Sequence, residues 1–251
     1  MKFGKIEKAV LCMAIVFAAC FAIPATAGAM HIMEGYLPIG YCIAWGAVSL
    51  PFLAMGVIKL RRMVEENRRV LILLAMSGAF VFVISSLKIP SVTGSCSHMT
   101  GTGLAAILFG ASITSVLGMI VLIFQAILLA HGGLTTLGAN IFSMAIAGPF
   151  ITILLYKAGK KLKINRLANV FIAVAMGNFI TYCITSVQLA LAYPSEVGGV
   201  SASMVKFLGV FAPTQIPLTV VEGLMTVLIV MGMENFASRE LRDTSYMMEA
   251  N

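Results

Sequence analysis

A histidine second from a free amino terminus is a three-nitrogen metal ligand, and this chain carries the elements that would expose one. Lys2, Lys5 and Lys8 precede an apolar run over residues 9–23, Pro24 interrupts it, and Ala27-Gly28-Ala29 stand immediately before Met30-His31. That order is the layout of a cleaved signal peptide over residues 1–29. Cleavage after Ala29 makes Met30 the first mature residue. Its amine, the His31 backbone nitrogen and the His31 imidazole then close fused five- and six-membered rings on one ion. Such a planar set suits nickel(II), copper(II) and low-spin cobalt(II), whereas zinc prefers a tetrahedral site and magnesium oxygen ligands. Two other readings compete. The leader can be an ordinary one whose first mature residues are incidental. A lipoprotein-like cut at Phe17-Ala18-Ala19-Cys20 would instead leave eleven residues ahead of His31, but Cys20 lies inside the apolar run and Phe17 is bulky for its position.

The chain has two more histidines, His98 and His131, and whether they can join His31 depends on where the membrane lies. The hydrophobic fraction is 60%, the charged fraction 11% and the mean hydropathy +1.00 over 251 residues, more apolar surface than a soluble core of this size can bury. The expected fold is an all-α polytopic membrane protein, with residues 30–251 forming one transmembrane domain after the leader. Removing the leader's three lysines and Glu7 lowers the net charge from +7 to +5. The remaining basic groups sit in short clusters beside apolar runs, the pattern of cytoplasmic loops rather than of a nucleic-acid surface. Cys42, Cys96 and Cys183 are an odd set spread over predicted helices, which argues against a disulfide framework; Cys42 and Cys183 read as packed free thiols. Of 17 methionines two lie in the leader, and most others occupy apolar helical positions suited to packing.

Apolar segments fall at residues 40–58, 70–87, 103–130, 141–156, 167–192 and 207–233. Lys59, Arg61, Arg62, Arg68 and Arg69 form one basic stretch; Lys157, Lys160, Lys161, Lys163 and Arg166 form another. Both belong on the cytoplasmic side, so an even number of crossings must separate them. One helix over 103–130 would give an odd number. The segment is therefore expected to cross twice, as a short or broken helix over 103–111 and a fuller one over 112–130. A short helix at membrane depth is tolerated only inside protein or beside a cavity, so the break points to a site. The result is about seven transmembrane helices, an outside mature amino terminus and an inside carboxy terminus carrying Arg239 and Arg242.

This topology puts the loop at residues 88–100, with Pro90, Gly94, three serines and two threonines, on the same side as His31. His98 can then supply the fourth nitrogen of a square plane. Ala130-His131-Gly132-Gly133-Leu134-Thr135-Thr136 falls on that side too. His131 is expected to support the ligands rather than join them, since the plane is already full, with initial receipt of the ion as the other option.

Three runs carry a resemblance. Met30-His31-Ile32-Met33-Glu34-Gly35-Tyr36-Leu37-Pro38, Val92-Thr93-Gly94-Ser95-Cys96-Ser97-His98, and Leu129-Ala130-His131-Gly132-Gly133-Leu134-Thr135-Thr136-Leu137-Gly138-Ala139-Asn140 resemble, in order, the cobalt and nickel substrate-specificity component of energy-coupling-factor transporters, the CbiM/NikM family. The resemblance spans essentially the whole mature chain. It implies a seven-helix substrate-binding subunit importing Co(II) or Ni(II), the cargo held by Met30, His31 and His98. It also implies a transmembrane coupling protein, two cytoplasmic ATPase subunits and a small accessory membrane protein as partners. Where the family commonly has proline after the loop histidine, this chain has Met99.

Full planar chelation deprotonates the His31 amide, so affinity should rise with pH. Glu34 is a candidate partner for the remaining positive charge, with a solvated loop carboxylate as the alternative; Ser97, next to His98, and His131 complete the candidate support. The chain carries no GxxxxGK[ST] phosphate loop, so ATP hydrolysis belongs to partners, or else the ion runs down its own gradient through a self-sufficient channel or carrier. HExxH and GxSxG are absent from the sequence, which argues against a hydrolase; no turnover and no permanently bound cofactor are expected. Among membrane-depth polar residues Gln125, Asn178, Gln188 and Glu222, the last is the costly one, and its expected role is helix packing or partner coupling. Cobalt and nickel both suit the nitrogen set. The expected location is the cytoplasmic membrane.

Overall fold

The computed structural model describes residues 31–87, 89–90, 96–237, 241, 244 and 246. The expected leader, its expected cleavage site and Met30 fall outside the described residues, as do Arg239 and Arg242. Among the described residues seven helices follow in order: α1 Ile39–Glu66, α2 Val70–Ser86, α3 Thr102–Phe109, α4 Ala111–Leu129, α5 Leu137–Lys161, α6 Arg166–Ala192 and α7 Gly199–Phe236. All except α2 and α3 are long and apolar enough to cross a bilayer, and α2 is a shorter, mostly apolar helix of 17 residues, about 25 Å of rise. Two-residue strands, β1 Ile89–Pro90 and β2 Cys96–Ser97, pair antiparallel with Ile89 opposite Ser97. The protein is therefore an all-α polytopic membrane protein. Its apolar surface faces outward, as on α1, where Ile39 and Ile43 are 78% and 67% exposed.

The expected double crossing appears as α3 and α4, broken at Gly110 rather than one residue later. Gly110 adopts φ 80° and ψ 158°, a conformation that admits almost only glycine. Eight residues of α3 rise only about 12 Å, and the irregular stretch over residues 98–101 leads into them. Every α3 residue is buried, which is the condition for a short helix at this depth.

At one end of the bundle the Lys59 ammonium donates to Ser112 Oγ at 3.1 Å, and Lys59, Arg62 and Lys157 line a cavity with Gly110. Both basic stretches thus share an end, and helix α4 runs from there to the opposite end, where all three histidines gather. Small residues let helices approach closely within the chain. An added Cβ would lie 2.6 Å from Val174 at Gly103, 2.6 Å from Ala145 at Gly118 and 2.4 Å from Thr181 Oγ1 at Gly148. Within α5 the turn Ile141–Ala147 widens to a π-helix, a form that clusters at functional sites. Cys42 and Cys183 are free, partly buried thiols.

Candidate metal centre

His31 owes its place to the residue after it. The Ile32 N–H donates to Asn140 Oδ1 at 2.8 Å, and the Ile32 carbonyl accepts from Asn140 Nδ2 at 3.0 Å and from Thr136 Oγ1 at 2.6 Å. One amide side chain thus pairs with a backbone unit as a neighbouring strand would. Asn140 stands where α5 widens into its π turn. The Ile32 side chain is 2% exposed and packs with Leu37, Ala139, Tyr182 and Leu189. Burial and three hydrogen bonds therefore anchor the entry segment to α5.

His98 is anchored elsewhere. Its segment lies along α7, and non-helical backbone at membrane depth must find partners inside the protein. Ser97 Oγ meets Thr214 Oγ1 at 2.7 Å, and the His98 carbonyl accepts from Gln215 Nε2 at 3.4 Å. Glu222, 2% exposed, accepts from the Thr100 N–H at 2.6 Å, the Thr100 hydroxyl at 2.7 Å and the Gly101 N–H at 2.9 Å, and also from Asn178 Nδ2. Gln215 Nε2 donates to Asn178 Oδ1 at 2.5 Å, closing the network. The Met99 side chain packs with Ile84 and Leu218, an apolar anchor in place of the rigid proline. Since a carbonyl only accepts, the 2.8 Å contact of His98 Nδ1 with the Met99 carbonyl puts the proton on Nδ1. In the neutral ring Nε2 then presents its lone pair.

His131 arrives through the end of α4. Ala130 takes φ 46°, and the Ala130 and His131 N–H groups both donate to the Gln125 carbonyl, turning the chain back over the bundle. The outcome is one buried cluster. His31 Nδ1 lies 2.6 Å from His98 Nε2 with the rings stacked at 4.5 Å and 18°. The His131 ring meets these edge-on at 4.6 and 5.1 Å. One nitrogen from each ring lies within 4.8 Å of the others. Two adjacent nitrogens bound at about 2.0 Å and a right angle sit roughly 2.8 Å apart, so the His31–His98 spacing fits one shared ion.

Of the sequence candidates, His31, His98 and His131 come together, Ser97 flanks them through Thr214, and Met30 falls outside the described residues. Glu34 is exposed and clasps the histidine-131 loop, accepting from the Thr135 N–H at 3.2 Å while Thr135 Oγ1 accepts from the Gly35 N–H at 3.3 Å. Hydrogen bonding, foremost from the Thr135 side chain, holds the Glu34 carboxyl below its ordinary range. Asn140 and Thr136 had no role from sequence reasoning although both stood in the third family-like run. Gln215 carried no signal at all. Glu222 did, as a carboxylate at membrane depth, but its grip on the His98 segment needs the tertiary fold.

The three buried imidazoles gathered at one end of a polytopic helical bundle make a nitrogen donor set that could hold a transition-metal ion, as in a membrane protein for metal ions. Residues 31–240 match the family described as CbiM, cobalt uptake substrate-specific transmembrane region, and the chain belongs to that family. It is 62% identical over 240 residues to the cobalt transport protein CbiM of Lachnoclostridium phytofermentans, covering 96% of each chain. Identity to the cobalt transport protein CbiM of Ruminiclostridium cellulolyticum is 50% over 245 residues, covering 98% of this chain and 99% of that one. Among solved structures, a truncated transition metal transporter superposes with a TM-score of 0.71 at 26% identity, covering 82% of this chain and 98% of that chain. A second transition metal transporter gives 0.71 at 27% identity, covering 82% and 92%. The protein is a multi-pass membrane component of cobalt uptake with the fold of a transition metal transporter.

Proposed function

We propose that the mature chain begins at Met30 and captures Co(II), or Ni(II), at the extracytoplasmic face with four nitrogens: the Met30 amine, the His31 amide, His31 Nδ1 and His98 Nε2. The observation that carries this reading is which ring nitrogens meet. Only Nδ1 of a second-position histidine can close a six-membered ring with its own amide nitrogen, and it is Nδ1 of His31 that faces His98 Nε2 at 2.6 Å. With the His98 proton on Nδ1, the proton of a neutral His31 lies on Nδ1 toward His98 and passes to His31 Nε2 when the ion takes its place, so the protons that capture releases come from the His31 amide and the terminal amine. His131 closes the open edge of the cluster and supports the plane. Glu34 acts at one remove, holding the entry segment against the loop at Thr135.

The basic end of the bundle faces the cytoplasm, as the positive-inside rule requires, and the carboxy terminus emerges there. Energy comes from outside this chain. The protein serves as the substrate-binding subunit of an energy-coupling-factor importer, with a transmembrane coupling protein, two cytoplasmic ATPase subunits and a small accessory membrane subunit. It catalyses no reaction and delivers the metal as cargo. Metal analysis of the purified mature protein, paired with amino-terminal sequencing, tests this reading. One cobalt or nickel ion per chain and a sequence starting at Met30 are expected; a metal-free protein after loading, or a retained leader in the active form, would contradict it.

A further inference from the structure

Among the described residues Glu222 is a costly one, an acidic side chain 2% exposed on a spanning helix, where helix packing alone does not call for a carboxyl group. Its surroundings say what it does. A carboxylate offers about four lone-pair directions, and all are filled: Oε1 accepts from the Thr100 hydroxyl and the Gly101 N–H, Oε2 from the Thr100 N–H and Asn178 Nδ2. With no direction left for an ion, this arrangement is an anchor rather than a station along a metal path. Gly101, at φ 69°, turns its N–H onto the same carboxylate in a conformation that favours glycine.

The decisive detail is that the Thr100 N–H and the Met99 carbonyl belong to one rigid peptide plane. On one side of that plane Glu222 holds the N–H at 2.6 Å; on the other the carbonyl accepts from His98 Nδ1 at 2.8 Å. We propose that Glu222, the Met99–Thr100 peptide and His98 form a carboxylate–peptide–imidazole relay, in which Glu222 is the positioning residue that fixes the His98 ring and strengthens its Nε2 as a metal donor. Metal-binding histidines commonly give their second nitrogen to a carboxylate or a carbonyl, which sets tautomer, orientation and basicity. Here one peptide stands between the two, and chained hydrogen bonds polarise one another. Asn178 and Gln215 brace the relay, since Gln215 reaches both the Asn178 side chain and the His98 carbonyl. The inference rests on His98 being a ligand of the captured ion.

Glu222→Gln keeps the size but leaves a single acceptor oxygen, and its new NH₂ opposes an N–H it used to hold. With nickel(II) as probe, the full-length mature variant in detergent is expected to bind about tenfold more weakly or worse, and the ligand-field band of its bound nickel is expected to move to lower energy. The band separates positioning from stability, because a partly unfolded population binds less metal without moving the band of what is bound. Thr100→Val removes one of the four donors and keeps the charge; a shift in the same direction but smaller is expected, and this variant carries the test if Glu222→Gln does not fold. An unmoved band and wild-type affinity in whichever of the two folds would overturn the relay. Wild-type protein that binds no nickel would instead overturn the capture reading on which it rests.

Discussion

His31 and His98 are 67 residues apart in sequence, yet His31 Nδ1 and His98 Nε2 approach to 2.6 Å while each is held by a different helix. His31 follows α5 through Asn140 and Thr136, and His98 follows α7 through Thr214, Gln215 and Glu222. The proposed metal grip would thus be a joint between two separately anchored segments, dependent on α5 and α7 keeping their present relation.

The two histidines opposite His31 should not be equivalent. His98→Ala would remove a member of the proposed nitrogen plane and is expected to cost about 100-fold or more in nickel affinity. His131→Ala leaves the plane intact and is expected to cost about tenfold, with the ligand-field band in place. Calorimetric titration of both variants checks this; equal losses with a shifted band in His131→Ala would make His131 a ligand.

In the proposed capture protons leave the amine and the His31 amide, so affinity is expected to rise with pH, by roughly tenfold per unit for each proton released. The Glu34 clasp is not the source of that slope. Its carboxyl is held below its ordinary range, so its contribution is complete above the ordinary carboxylate value and disappears only as pH falls through the depressed one. Between about pH 6 and pH 8 Glu34 is ionised throughout. Glu34→Gln is therefore expected to keep the wild-type slope in this range, and a flattened slope in titrations across it would place the proton coupling at Glu34.

The break between α3 and α4 separates fold from function. A Cβ at Gly110 would meet no atom within 4 Å, so the cost of Gly110→Ala is torsional, about 1–3 kcal/mol. Thermal unfolding in detergent should register that loss while nickel affinity stays at the wild-type value, because Gly110 lies at the basic end, away from the histidines.

Much of this was readable in the residues because membranes impose strong rules. Two basic stretches demanded an even number of crossings, and that parity located the broken helix to within one residue of Gly110. Histidines are rare enough here that their shared end followed from the same count. What stayed hidden depended on tertiary approach. Asn140 pairs with Ile32 across 108 residues, and Glu222 reaches Thr100 across 122; no local period encodes either. Glu34 stood close to His31 in sequence, but its carboxylate turned to Thr135 and solvent, since an exposed loop offers backbone donors at less desolvation cost.

The sharpest discriminator is the amino terminus itself. Mature protein beginning at Met30 and the same protein with a single additional residue ahead of Met30 share every side chain and differ only in where the free amine lies. Nickel or cobalt titration of the two, side by side in detergent, should show the extended protein folded but binding about 100-fold more weakly or worse, as expected for the loss of one chelating nitrogen. Equal affinity would mean that the terminal amine is not a ligand.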